Sequence, residues 1–213
     1  MALKGLVCFD LDGVIADSRD GIEYCINLAL AEQGASALRP GAVNKHIGPS
    51  LIHGFREMLL DAGLDPARAA ECVVTYRRHY AVEWRTRTTA YPGIREAIEA
   101  LSAITRLAVV TSKLEVFARP ILASLSMENS FEAIVGPRPN SDDEPKAVTL
   151  ARAIQVMAST ARPVVMVGDR RYDVAGALKN NALPIGVLWG FGSRDELERE
   201  GASLIAETPG DLV

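Results

Sequence analysis

Short, mainly apolar runs recur along the chain. They are GLVCF at 5–9, RLAVV at 106–110, EAIVG at 132–136, PVVMVG at 163–168 and PIGVLW at 184–189. Continuous apolar runs of this length are typical of parallel strands that are buried on both faces, and segments with helical periodicity separate the last four. The pattern predicts an α/β fold with a Rossmann-like, doubly wound parallel sheet.

A helical segment interrupts this pattern after the first run. About ninety residues separate the first run from the second, and residues 18–87 have helical rather than strand periodicity. Candidate helix caps and ends in this segment are Ser18, Gly34, Ser50 and Asp65. We therefore expect an inserted α-helical domain at 17–88 and a core that consists of 1–16 and 89–213.

Composition limits the partners that the chain can have. Its 213 residues are 48% hydrophobic and 23% charged, which is ordinary for a globular protein, and the formal net charge is −4. A chain with this net charge lacks the positive surface potential that attracts a nucleic acid polymer or an anionic membrane. We therefore expect a small-molecule partner. Its oligomeric state cannot be read from the sequence.

Cysteine usage and the chain start bear on the compartment. Cys8, Cys25 and Cys72 lie in apolar or helical stretches without metal-ligand spacing, which indicates buried, reduced thiols. The start MALKGLVCF lacks the long apolar stretch of a signal peptide, and no run approaches the ~18 apolar residues of a membrane span. These features predict a cytoplasmic protein.

The first apolar run ends in a pair of acids. Asp10 and Asp12 are two positions apart, so their side chains point to the same side of a strand, and Gly13 lets the chain turn away. Two neighbouring carboxylates repel each other unless a cation or a shared proton relieves them. The pair indicates a reactive site, with an exposed turn as the alternative.

Three further polar clusters follow later runs. VVTSK contributes Thr111, Ser112 and Lys113, and a simple capped turn is the alternative. Lys146 opens the helix in DDEPKAVTLARAI, where a surface lysine is the alternative. GDRRYD contributes Asp169 and Asp173. Simple helix capping by these two aspartates is the alternative.

Together these clusters predict one crevice with three or more carboxylates, a hydroxyl and two lysines. Oxygen ligands without His or Cys favour a hard cation such as Mg²⁺. A cation beside lysine and hydroxyl donors can hold a phosphoryl group, and a carboxylate can attack phosphorus to form an aspartyl-phosphate.

With these motifs the chain resembles the haloacid dehalogenase superfamily over essentially its whole length. DLDGV, VVTSK, Lys146 and GDRRYD correspond to its four motifs, although Pro145 precedes the lysine here where a proline usually follows it. The resemblance implies that Asp10 is the nucleophile and that Asp12 is the general acid/base. It implies Thr111 and Lys146 as phosphoryl-binding catalytic residues, with Ser112 and Lys113 beside the substrate. The implied Mg²⁺ residues are Asp10, Asp12 (through its carbonyl), Asp169 and Asp173.

The insertion at 17–88 resembles the helical C1-type cap of the phosphoglycolate phosphatase-like branch, which includes members described as bacterial 5′-nucleotidases. In related capped enzymes a loop corresponding to KHIGPSL at 45–51 touches the leaving group. Lys45, His46 and Ser50 are therefore candidate specificity residues, and a purely structural turn is the alternative.

The resulting expectation is a Mg²⁺-dependent phosphatase that hydrolyses a small phosphomonoester, similar to phosphoglycolate phosphatases. A 5′-nucleotidase and a sugar phosphomutase are alternatives, and a non-enzymatic binding protein on the same fold is a further one. By the same resemblance, Asp12 argues against a dehalogenase or a phosphonate-cleaving enzyme, because those members lack an acid at this position.

Overall fold

The structure is a computed structural model that describes residues 5–48, 50–138, 141, 143–157 and 163–213. Residues 1–4 of the expected core, Pro49 of the KHIGPSL loop and Asp142 of the DDEPK segment lie outside the described residues. The strands are β1 (Leu6–Phe9), β2 (Ala16–Asp17), β3 (Thr89–Ala90), β4 (Arg106–Val110), β5 (Ala133–Val135), β6 (Val164–Gly168), β7 (Leu183–Val187) and β8 (Leu204–Ala206). The α-helices are α1 (Arg19–Glu32), α2 (Leu51–Asp61), α3 (Ala69–Arg87), α4 (Ile94–Ile104), α5 (Glu115–Ser124), α6 (Lys146–Val156), α7 (Arg171–Lys179) and α8 (Arg194–Glu200).

The described residues form a six-stranded parallel sheet in the order β5-β4-β1-β6-β7-β8. Alternate residues of the central strand β1 enter two hydrophobic clusters: Phe9 packs into one, and Leu6 and Cys8 pack into the other. Burial on both faces explains why the strand sequences are continuous apolar runs. The α/β fold class and the five predicted strands are confirmed.

Strand β8 and the short pair β2–β3 were not predicted. β8 has only three residues at a sheet edge, and Leu204 in it is exposed, so it has no continuous apolar signal. β2 and β3 pair antiparallel where the chain leaves the sheet and returns to it, with Ala16 opposite Ala90.

Helices α1, α2 and α3 lie between β2 and β3, as the helical periodicity predicted. Of the proposed caps, Asp65 accepts a hydrogen bond from the backbone NH of Ala67 at the start of a 3₁₀ turn. Ser18 and Ser50 precede α1 and α2, but their side chains do not cap these helices. Both serines therefore occupy the predicted N-cap positions, but each hydroxyl donates to a carboxylate elsewhere.

Aromatic side chains join the helical segment to the rest of the chain. Tyr76 and Tyr80 of α3 are stacked with their ring centroids 5.3 Å apart. Tyr80 also meets the edge of Phe117 on α5 at 5.6 Å. Since Phe117 follows strand β4, this contact holds the helices over the carboxyl ends of the strands. None of the helices in the described part of the chain combines the length and apolar character that a membrane crossing requires.

Candidate active site

Three aspartates form a buried acid cluster at the carboxyl ends of two adjacent strands. Asp10 follows β1, Asp169 follows β6, and Asp173 lies on the first turn of α7; one carboxylate oxygen from each lies within 4.8 Å of the others. Because β1 and β6 are paired in register, the residues that follow them are held side by side. The backbone NH of Asp10 continues this pairing by donating to the carbonyl of Val167 at 2.9 Å.

Lys146 supplies the cation of this cluster. Its Nζ lies 2.9 Å from Asp10 Oδ2 and 2.9 Å from Asp173 Oδ1. It also donates to the carbonyl of Val110 at the end of β4, at 3.3 Å. The lysine at the start of α6 is therefore a buried ion-pair partner and not a surface residue.

The acid cluster sets three carboxyl groups against one ammonium, which disfavours the ionisation of all three. Burial raises the pKa of Asp10 to about 7; Lys146 opposes this shift and Asp173 adds to it. Burial, followed by repulsion from Asp173 and Asp10, holds the pKa of Asp169 well above its usual range. Burial alone would lower the pKa of Lys146, but its two acidic partners raise it overall. One ammonium does not neutralise three carboxylates.

Asp12 has different partners from Asp10. Its Oδ1 accepts a 2.5 Å hydrogen bond from the Ser18 hydroxyl and lies 3.1 Å from Lys113 Nζ. That ammonium also contacts the Tyr80 hydroxyl at 2.5 Å and lies over the Tyr80 ring. Burial would lower the pKa of Lys113, but Asp12 and Tyr80 raise it, so the lysine is a cation beside Asp12.

Thr111 and Ser112 continue β4 into the site. Thr111 is buried, its NH donates to the carbonyl of Val135, and its Oγ1 accepts from the NH of Lys113 at 3.1 Å. The Ser112 hydroxyl donates to the carbonyl of Gly48 at 3.3 Å, which brings the helical segment onto the strand end.

Two pockets lined by described residues meet at the Ser112–Gly48 contact. The first, the apolar pocket, lies beside Asp12; its lining is Asp12, Ile22, Ile26, His46, Ile47, Gly48, Leu51, Tyr76, Arg77, Tyr80, Ser112, Lys113, Leu114, Phe117 and Pro137. The second, the polar pocket, lies beside Lys146; its lining is Gly48, Ser50, His53, Ser112, Pro137, Asp143, Glu144, Pro145, Lys146, Arg171 and Tyr172. The site is therefore approached from two chemically different sides.

The three specificity candidates of the KHIGPSL loop lie in different places. His46 is buried in the wall of the apolar pocket with Nδ1 3.2 Å from Glu57 Oε2. Ser50 lines the polar pocket and donates to Asp143 Oδ1 at 2.6 Å. Lys45 pairs with Asp61 at 3.1 Å on the surface, where its side chain is 64% exposed, so the structure does not bring it to the site.

A model of the haloacid dehalogenase-like hydrolase family matches residues 7–187 of the chain. The chain belongs to this family. The match covers the acid cluster, both pockets and the helical segment, and the family predicted from the sequence is confirmed.

Relatives with described activities agree with this family. A 5′-nucleotidase of Pseudomonas aeruginosa is 35% identical over 192 residues, which are 90% of this chain and 86% of that protein. The tyrosine-protein kinase PtkA of Mycobacterium tuberculosis is 33% identical over 94% of this chain and 67% of that protein. A phosphoglycolate phosphatase of Aquifex aeolicus is 29% identical over 98% and 94% of the two chains.

Solved structures of similar fold also agree with membership of this family. A predicted phosphatase from Clostridium acetobutylicum superimposes with a TM-score of 0.91 at 32% identity, over 99% of this chain and 97% of that one. The chain is thus an enzyme of a hydrolase family whose similar members include proteins named as phosphatases, as the sequence predicted.

The acid cluster of this haloacid dehalogenase-like hydrolase fits a divalent metal ion. Its donors are all carboxylate oxygens, which hard cations prefer. Asp169 Oδ1 is buried and has no hydrogen-bond partner among the described residues, whereas Oδ2 accepts from the NH of Phe191 at 2.7 Å. A buried carboxylate oxygen without a partner is costly, and a cation would relieve it.

Some roles at the site were not predicted. Ser18 and Tyr80 hold the Asp12–Lys113 pair, whereas Ser18 was expected only as a helix cap and no role was expected for Tyr80. Arg170 could have been noticed, because it lies between the two acids of GDRRYD. Its guanidinium is buried, lies 2.9 Å from Glu196 Oε1, and donates to the carbonyls of Asn44 and Ile47.

Proposed function

We propose that the chain is a Mg²⁺-dependent phosphatase that hydrolyses a small phosphate monoester through an aspartyl-phosphate. The observation that carries this proposal is the Lys146 ammonium, which is buried between Asp10 and Asp173 at 2.9 Å from each. A nucleophilic carboxylate, a cation for the phosphoryl group and a metal-ligating carboxylate are thereby joined in one contact network.

Asp10, Asp169 and Asp173 would hold the metal, together with the backbone carbonyl of Asp12. Bound there, Mg²⁺ would neutralise the excess charge of the cluster and offset the charge of the phosphoryl oxygens. The short distances among the three carboxylates that follow β1 and β6 and begin α7 support this role.

Asp10 would attack phosphorus, and the bond from phosphorus to the ester oxygen would break as the alcohol leaves. One oxygen of Asp10 is fixed by the NH of Leu11 at 2.7 Å, and the other lies against Lys146. Lys146 and Thr111 would bind the phosphoryl oxygens, so the group to be transferred meets a fixed cation and hydroxyl.

Asp12 would act on the ester oxygen. It would give its proton to the departing alkoxide and then take one from the water that attacks phosphorus. The bond from phosphorus to Asp10 breaks in that second step, so phosphate leaves, Asp10 returns as a carboxylate and Asp12 returns in its protonated form. Ser18 and Lys113 both contact Asp12 Oδ1 and would fix its direction, and Lys113 would also bind the substrate.

The helical insertion at 17–88 would cover the site as a C1-type cap, with His46 and Ser50 in its walls. Relatives suggest two leaving groups, since one is named a phosphoglycolate phosphatase and another, at 35% identity, a 5′-nucleotidase; the walls of the cap would decide between them.

Phosphate release from p-nitrophenyl phosphate and an alkyl phosphate tests the proposal. We expect turnover with Mg²⁺, none with a chelator, and none for Asp10→Asn. Asp12→Asn should lose about 10²–10⁴-fold on the alkyl ester and less on p-nitrophenyl phosphate, whose leaving group needs little protonation. With p-nitrophenyl phosphate this variant should also give a burst of p-nitrophenol and a trapped phosphoprotein. With a sugar phosphate as a third substrate, isomerised product without phosphate release would instead indicate a mutase, and no turnover on any ester would indicate a binding protein.

A further inference from the structure

The apolar pocket is lined in part by Asp12, the residue that we propose to act on the ester oxygen. Six of its fifteen lining residues are aliphatic or aromatic side chains from four helices: Ile22 and Ile26 of α1, Leu51 of α2, Tyr76 and Tyr80 of α3, and Phe117 of α5. This wall is continuous with the hydrophobic core, to which all six side chains belong or against which they pack.

Several polar groups in the same wall contact other groups of the chain, although His46 Nδ1 makes no hydrogen bond within the described part of the chain. Lys113 is held by Asp12 and Tyr80, and His46 lies 3.2 Å from Glu57. The Ser112 hydroxyl donates to Gly48, and Arg77 also takes part in an interaction within the chain. A carboxylate that entered this pocket would lose its water and would have to compete with existing partners for a cation.

We propose that the leaving group is an alcohol or phenol with an apolar or aromatic body, and that this body fills the apolar pocket. This inference rests on the proposed phosphatase function and names its substrate class. It disfavours a short carboxylate such as glycolate as the leaving group. Burial of apolar surface in the pocket is favourable, whereas the ammonium of Lys113 in its wall is already paired with Asp12. The aromatic rings of Tyr76, Tyr80 and Phe117 give a flat ring surfaces to lie against.

A series of n-alkyl phosphates from methyl to pentyl tests the substrate class. The leaving-group chemistry is nearly constant along this series, so kcat/KM reports burial of the alkyl chain. We expect about a fourfold rise for each methylene group that enters the pocket, which is the transfer free energy of one CH₂ converted to a rate ratio. Phosphoglycolate should have a lower kcat/KM than propyl phosphate, although its leaving group is the better one.

A pair of variants at the start of α5 tests whether the rise in kcat/KM with alkyl chain length comes from this pocket. Leu114 lines the pocket at the N-cap position of α5, where asparagine is well tolerated, so Leu114→Asn puts a polar group in the wall at little cost to folding. Val116→Asn, two residues further on at a side chain that is 69% exposed, is the matched control. We expect Leu114→Asn to flatten the alkyl series and Val116→Asn to leave it unchanged.

The outcomes separate this inference from the function on which it rests. A flat alkyl series in an enzyme that still hydrolyses p-nitrophenyl phosphate, or a preference for phosphoglycolate over propyl phosphate, overturns the substrate class alone. Equal slopes in the two asparagine variants would overturn the assignment to this pocket. If no ester is hydrolysed at all, the proposed function and this inference are both overturned.

Discussion

The ammonium of Lys113 lies 3.1 Å from a carboxylate oxygen of Asp12, and their side chains are only 8% and 14% exposed. Breaking a buried ion pair by removing one partner leaves the other charge uncompensated, which typically costs about 3–5 kcal/mol. The chain also has an exposed pair of the same type at a nearly identical distance, formed by Lys45 and Asp61 at 3.1 Å.

The two lysines allow a matched stability experiment. Lys113→Met should lower the free energy of unfolding by about 3–5 kcal/mol, because Asp12 would keep only the Ser18 hydroxyl as a partner. Lys45→Met should change it by no more than about 1 kcal/mol, since water screens the exposed pair. Urea unfolding of both variants provides the comparison, and equal losses would show that burial of the Asp12 pair has no energetic weight.

Asp169→Asn should have opposite effects with and without metal. The pKa of Asp169 is raised by burial and by its acidic neighbours, so the metal-free cluster is under repulsion that an amide would relieve. We expect the variant's melting temperature without metal to rise by a few degrees, and the further rise on adding Mg²⁺ to shrink. A thermal melt with and without Mg²⁺ measures both effects. An unchanged Mg²⁺ effect would remove Asp169 from the metal site.

His46 should make the stability of the protein depend on pH. Burial, and then the neighbouring Lys45, lower the pKa of His46, against the opposing effects of Glu57 and Asp61. The unfolded chain therefore binds a proton more readily, near pH 6.5, so stability is lost as pH falls below that value. His46→Gln should reduce the slope of unfolding free energy between pH 5 and 7. The control is His53→Gln, whose ring is exposed; the same change in slope there would contradict a role for burial.

Arg170→Lys should loosen the loop that carries His46. The guanidinium reaches Asn44, Ile47 and Glu196 together, and a single ammonium cannot keep all three contacts. We expect a loss of about 2–4 kcal/mol in unfolding free energy, from two charge-assisted hydrogen bonds, and faster amide exchange at residues 42–48. Arg171→Lys, at the neighbouring residue near the surface, should produce neither change.

Much of the fold was predictable because continuous apolar runs identify doubly buried strands and helical periodicity identifies the insertion. The acids of the cluster were predictable for a related reason, since residues that follow adjacent parallel strands must meet at one edge. The predictions that failed depended on the directions in which individual side chains point. The periodicity could not tell that Lys45 faces solvent while His46, the next residue, is buried, nor that the hydroxyl of Ser18 would turn to Asp12 instead of capping its own helix.

The pairing of β2 with β3 makes the helical insertion a replaceable unit. Because Ala16 lies opposite Ala90, the chain leaves and re-enters the parallel sheet at neighbouring points. A segment of different length or shape can therefore be spliced in there without altering the register of the six sheet strands. The graft must restore an apolar partner for Phe117, which Tyr80 provides here. Chimeras joined at these two strands should thus keep the acid cluster, whereas the contacts that Ser18 and Tyr80 make with Asp12 and Lys113 would have to be rebuilt by the graft.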